Sequence, residues 1–248
     1  GWSQIPEVGL ALAAKAAKIN GVYSAMALLD LDTAKAKKYT DTKSVKEESG
    51  YTSPFCYPLW PCDRVGEYIL AKSAVAGAMI QYMASDNEDV PNQSPSNHLL
   101  GVGGQCLEDG TEVYLDQDQA NTVNGYGVTT AINQNGYRLW GNYTGAYPAS
   151  SDAKDIWFAV RRMFSWQGNN FIQTYFDEVD DPMNNVLVQS VVDSENIRCS
   201  AYAPKYWAGA SIEYKSDDNP KTAILAGTMK FRQHIAPYTP AQEIVDII

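Results

Sequence analysis

Two histidines, four cysteines, two Asp-Asp pairs and one arginine pair are the first residues to weigh for chemistry. His98 and His234 stand far apart, and neither neighbours a cysteine pair, so no zinc site or His-based acid–base set is spelled out. Cys56 and Cys62 flank CYPLWPC, while Cys106 and Cys199 are remote. In a chain this long without a secretory pattern they read as buried or free thiols, with a Cys56–Cys62 disulfide as the alternative. The sequons at Asn92 and Asn142 carry little weight without secretion. Asp180-Asp181 and Asp217-Asp218 could be paired catalytic carboxylates. Each pair lies beside a proline or a turn, where acids more often cap helices or shape loops. GVGG at 101–104 lacks both the dinucleotide-binding pattern and a P-loop lysine. Arg161 and Arg162 are adjacent on a predicted helix and point in different directions. One solvated and the other paired with a neighbouring acid is the favoured reading; a phosphate site is the weaker one. No nucleophile elbow, HExxH helix or Walker loop occurs. Nothing converges into an acid, base and nucleophile, so the chain reads as a non-enzyme with no cofactor and no metal.

The remaining candidate is GYRLWGNYT, residues 136–144, where Tyr137, Trp140 and Tyr143 sit beside Gly136 and Gly141. Such a stretch can be a sugar-binding face, a hairpin at a domain seam, or a buried joint between subunits.

Bulk properties narrow the classes. The chain has 248 residues, 45% hydrophobic and 19% charged, as in a globular protein with a real core. That length suits one large domain or two smaller ones. A net charge of −10 repels phosphate backbones and argues against direct nucleic-acid binding. No apolar run is long enough for a membrane span, and no signal peptide is recognisable.

The elements that must position these residues come next. Residues 6–18 carry Ala and Leu at helical spacing and stop at Asn20-Gly21. VYSAMALLDL, 22–31, reads as a buried strand. Residues 33–50 read as an exposed helix and loop whose lysines form a solvated face or meet an acidic partner. Three prolines make 51–62 an extended, buried segment. A helix is expected over 66–86 and a loop over 87–104. Asn-Gly at 124–125 and at 135–136 both signal hairpins, with VTTAIN and YRLWG as antiparallel strands. An amphipathic helix is expected over 155–176, weakened at Gly168, and another over 180–202 with Asp181 as its N-cap and Pro182 at the first helical position. Residues 210–237 read as two strands around Asp-Asp-Asn-Pro, with Met229, Phe231 and His234 or Ile235 competing for the buried face. The end, AQEIVDII, reads as a strand. The class is α+β, with mixed α/β layers, helices packed on mixed or antiparallel sheets, and C-terminal helices followed by an antiparallel sheet. Two units are expected, 1–145 and 146–248.

NGYGVTTAINQNGYRLWGNYTG, followed by DIWFAVRRMFSWQGNNFIQTYF, resembles the contractile tail sheath proteins of bacteriophages and phage-tail-like particles. That family has an LN..GIN element before a G..vWG.rT hairpin, then a helix with a v.vRR...yi pattern. Trp140-Gly141 and Thr144 match the hairpin, and Val160-Arg161-Arg162 match the helix. Upstream, VAGAMIQYMASDNEDVPNQSPSNHLLGV is similar to the family's vAGi.Ar.D...g.w.aPaN..l.gv, and APYTPAQEIVDII to its last strand. The resemblance covers roughly residues 18–248, and its specificity lies in the ordered series. The departures are Asn142, where Arg is common before Thr144, the acidic NEDV, and a missing N-terminal extension and arm end.

The resemblance implies a structural protomer of a virion tail. It would polymerise helically around a tail tube and drive tube penetration and genome ejection by contraction. Its partners would be further copies of itself, the tail tube protein, and baseplate and tail terminator proteins, with assembly in the host bacterial cytoplasm. The hairpin residues Gly136, Trp140, Gly141 and Thr144 would form the joint between the two units. Residues Glu243, Ile244, Val245, Asp246, Ile247 and Ile248 would exchange as a strand between neighbours. The alternatives are a static virion or baseplate structural protein, or a carbohydrate-binding or hydrolytic tail protein.

Overall fold

The computed structural model describes residues 2–242. Helix α1 spans Pro6–Ala17, with proline in its first turn, and the chain reverses at Asn20 and Gly21, whose φ angles are 51° and 84°. Strand β1, Ala27–Asp30, follows, then α2, Thr42–Glu48. β2, Cys56–Leu59, pairs parallel with β1 in the register Ala27↔Cys56 to Asp30↔Leu59. β3, Cys62–Val65, lies between β4, Tyr68–Leu70, and β5, Gly104–Cys106, antiparallel to both. Helix α3 is Lys72–Asp86. The expected helix over 66–86 thus begins later, because Tyr68, Ile69 and Leu70 suit a strand and pair with β3.

Helix α4, Gln117–Gly125, opens on a capping box in which Asp116 accepts from the Gln119 amide at 2.8 Å. Asn124-Gly125 therefore ends a helix and makes no hairpin, a correction to the sequence reading. The second Asn-Gly does make one: β6, Thr130–Asn133, and β7, Tyr137–Trp140, pair antiparallel from Asn133↔Tyr137 to Thr130↔Trp140. Next come α5, Ala153–Ile156, and α6, Phe158–Thr174, separated at Trp157 in extended backbone. Helix α7 is Asn185–Tyr202, and β8, Trp207–Glu213, follows it. The α7 cap is Asn184, whose Oδ1 accepts from Leu187 N at 2.9 Å, in place of the expected Asp181. Asp180 stands at φ +75°, outside helical backbone, so the turn begins later. A short helix α8, Lys221–Leu225, interrupts the connection to β9, Arg232–Pro237. Ile235 and Gln233 are the half-buried side of β9, His234 is exposed, and Met229 precedes the strand.

The chain divides into two compact units, residues 1–166 with 239–248, and residues 167–238. The division falls inside α6, whereas the sequence reading divides the chain at 145. In the first unit, Leu29, Leu31, Tyr51 and Trp60 pack with Val123 and Val128, while Tyr57, Leu59, Ile80, Leu139 and Phe158 form a second cluster. In the second unit, the wholly buried Glu195 accepts from Gln167 Nε2 and from Arg198, and Asn219 bridges the carbonyls of Lys215 and Lys230 at 2.9 Å each. Cys56, Cys62, Cys106 and Cys199 are all free and buried, so the disulfide alternative falls.

Candidate functional site

The site is the hairpin exit, its flanking loop 94–98, and the first turns of α6. The β6–β7 turn needs left-handed backbone, with Asn135 at φ 52° and Gly136 at φ 103°, and Gly136 N donates to Asn133 Oδ1 at 3.2 Å. Gly141 is required by crowding. A Cβ there would lie 2.4 Å from Thr129 Oγ1 and 2.9 Å from its Cα. That closeness lets the Tyr57 hydroxyl donate to Gly141 O at 2.8 Å while Gly141 N donates to Ser96 Oγ at 3.1 Å. Trp140 donates its indole N–H to Asn121 Oδ1 at 2.8 Å.

Beyond the hairpin, the chain is stitched to the helix start. Thr144 is wholly buried; its amide donates to Ile156 O at 2.8 Å, and its hydroxyl donates to Asp155 O. Phe158 N donates to Asn142 O at 2.9 Å. Tyr143 is sandwiched, its ring centroid 3.7 Å from Tyr147 and 4.9 Å from Trp157. These rings are held by one another and by the backbone, all within the first unit.

The two arginines do diverge. Arg161 pairs with Asp155 at 3.2 Å and lies 4.2 Å from the Phe55 ring centroid. Arg162 has no acidic partner among the described residues and lies 5.5 Å from the Phe158 ring centroid. Burial pulls its guanidinium down to about 10, offset in part by Tyr57, so it stays charged at neutral pH. The expected solvated arginine is therefore a half-buried one lying on an aromatic ring. The expected strand-exchange residues, Glu243, Ile244, Val245, Asp246, Ile247 and Ile248, lie outside the described residues.

Sequence reasoning missed two lysines. Lys46, expected on an exposed face, is buried, and its ammonium donates to the carbonyls of Tyr126, at 2.9 Å, and Tyr147. Burial lowers its pKa to about 8. Lys72 forms a wholly buried ion pair with Asp63, whose carboxyl burial pushes up and Lys72 pulls back. Lys46 has no local sequence signature, since its partners are distant in the chain, and Lys72 meets Asp63, nine positions earlier, only because β3 and the start of α3 are brought together by the fold. Among the described residues, no three His, Cys, Asp or Glu side chains are grouped to hold a metal, and no helix is long and apolar enough to cross a membrane.

The fold is that of the sheath proteins of contractile particles. A chain in the baseplate structure of the anti-feeding prophage matches over 98% of this chain and 64% of its own, with TM-score 0.75 and 20% identity. The contracted helical sheath of the same prophage matches with TM-score 0.73 and 18% identity over 96% of this chain and 64% of that one. The contracted sheath complex of the extracellular contractile injection system PVC gives TM-score 0.73 and 16% identity, over 89% of this chain and 62% of that one. In sequence, the chain is 28% identical to the major tail sheath protein of Serratia phage KSP20 over 180 residues, 70% of this chain and 44% of that protein. It is 23% identical to the tail sheath protein of Escherichia phage P2 over 215 residues, 82% of this chain and 52% of that protein. The chain thus spans about half the length of the curated relatives it matches. No family model matches it. Sequence and fold together fit the contractile tail sheath family.

Proposed function

We propose that this chain belongs to a protomer of a contractile tail sheath, a structural protein that assembles as a helix around a tail tube and drives the tube forward by contracting. The carrying observation is the joint likeness, in sequence to two phage sheath proteins and in fold to contracted sheaths. The energy of contraction would lie in the difference between two sets of protomer contacts, with no nucleotide hydrolysis required. Its partners would be further copies, the tube protein, the baseplate and a tail terminator. It would be assembled in the bacterial host and reside in the virion tail or an equivalent particle.

Neighbouring protomers would be linked by strand exchange through residues 243–248. Among the described residues, β8 and β9 form a two-stranded sheet in which the Ile212 N–H and C=O of β8 are taken by the Asn196 side chain while β9 pairs with β8 alone, so an added strand would find donors and acceptors along β9. Such bonds do not depend on side-chain identity, so a link of this kind survives rotation of the protomers. The hairpin around Trp140 would keep each protomer stiff as it turns.

Co-expression with the cognate tube protein, followed by negative-stain imaging, tests this reading. Striated rods that shorten and widen on triggering are the expected result, and discrete rings or featureless particles would overturn it. The match to a baseplate chain favours a second reading, a ring at the baseplate; rings of fixed diameter that never lengthen would select it.

A further inference from the structure

We infer that the cleft beside Trp140 is a binding site for a neutral saccharide. The cleft lies wholly in the first unit, has a volume of about 770 Å³, and is lined by residues from 94–98, 121–125, 140–147 and 240–242. That volume is in the range of small-ligand sites. Its lining contains no Asp, Glu, Lys or Arg, so it offers nothing to pair with a charged ligand. It offers amides and an indole.

The Trp140 ring is fixed by its bond to Asn121, and no other aromatic ring stacks on it among the described residues. A fixed, half-buried indole that lines the cleft can serve as a platform for the C–H face of a pyranose. Tyr143 cannot be a second platform, because Tyr147 and Trp157 cover both its faces; its hydroxyl instead donates to Gln242 Oε1 at 2.8 Å.

The amides around the platform are half used. Asn142 is only 9% exposed; its Oδ1 accepts from the Ser94 hydroxyl, which leaves its Nδ2 donors without a protein partner. Asn121 and Gln242 also spend their oxygens, on Trp140 and Tyr143, and keep their amide donors. Asn124 Oδ1 is the complement, a buried acceptor with no partner. Burial and the nearby Arg138 hold His98 below its ordinary pKa, so it is neutral at physiological pH and presents one donor and one acceptor. A sugar hydroxyl both donates and accepts, and so answers both kinds of unmet group at once. A peptide is the rival occupant, but this chain's own terminal run brings Glu243 and Asp246 between apolar residues, a poor match for neutral amides.

The test is titration of the whole chain with chitotriose, maltotriose and cellotriose, read by saturation-transfer NMR and tryptophan fluorescence. At least one sugar should bind saturably, and Trp140→Ala should weaken it at least about tenfold, or 1.4 kcal/mol, with circular dichroism unchanged. If that variant unfolds, Asn121→Ala and Gln242→Ala, both at exposed positions, carry the same expectation. Absence of saturable binding by all three sugars overturns the inference, as does binding indifferent to these substitutions. A synthetic peptide of residues 239–248 that displaces the sugar and binds more tightly also overturns it, in favour of a peptide site. Rod formation is a separate readout, so failure here leaves the sheath reading standing.

Discussion

The amide of Thr144 donates to the carbonyl of Ile156 at 2.8 Å, and this bond helps tie the exit of the hairpin to the last turn before α6. The Thr144 hydroxyl reinforces it by donating to Asp155 O and accepting from Ala146 N at 3.2 Å. Thr144→Val keeps the shape but orphans both backbone groups in a wholly buried place. It should cost about 1–3 kcal/mol in urea unfolding, with Thr144→Ser close to wild type.

Two glycines should respond in opposite directions to alanine. Gly141→Ala drives a methyl into Thr129, backbone included, and should cost about 3 kcal/mol. Gly168 lies inside α6, where a methyl would meet nothing within 4 Å. Gly168→Ala should raise stability by up to about 1 kcal/mol. Thermal unfolding of the two variants side by side checks both signs.

The buried Asp63–Lys72 pair should show strong non-additivity. Lys72→Met strands a carboxylate that is fully enclosed and should cost about 3–5 kcal/mol. Asp63→Leu combined with Lys72→Met should recover most of that loss. A double-mutant cycle in which the two single costs simply add would contradict it.

Alkaline pH should weaken the fold through Cys62, whose thiol burial pushes from 9.0 up to about 12. Above pH 9 the unfolded chain releases this proton while the folded chain keeps it. Stability contributed by the protonated thiol is therefore present below pH 9 and lost as pH rises towards 12. The slope is about 1.4 kcal/mol per pH unit. Cys62→Ala should remove that share of the slope, leaving the part due to other buried acids such as Tyr51, itself raised to about 12.

Assembly should depend on the terminal run. Ile247→Pro removes a ladder donor from a segment proposed to cross between protomers. The expected outcome is a folded protein, by circular dichroism, that no longer builds rods with the tube protein. Normal rods would place the link elsewhere.

The legible parts of the fold were those with local chemistry. Asn135-Gly136 between two alternating segments spells a hairpin, and its strands fell where VTTAIN and YRLWG put them. Asn124-Gly125 misled because the same dipeptide also stops helices; the Asp116 and Gln119 capping box eight residues upstream was the available discriminator. Lys46 was unreadable because carbonyls 80 and 101 positions away hold it. The cleft was unreadable for the same reason, since four separate stretches of chain build it. The seam after Trp166 falls within a continuous helix, and only the weak signal of Gly168 marks it nearby.

The close approach of Gly141 to Thr129 has a consequence for synthesis on the ribosome. Tyr57 reaches Gly141 across 84 positions, Leu59 bridges to Thr129, and Phe158 stacks on Tyr57 with centroids 4.0 Å apart. The strands β1 and β2 therefore wait, half covered, until the chain has emerged past Phe158. At about 5–20 residues per second, that leaves their apolar faces open for several seconds. If the chain is made in the numbers that the proposed helical assembly would demand, this interval is when nascent chains would pair with one another. Holding chains apart until residue 158 has cleared the exit tunnel would then limit yield more than the stability of the finished fold.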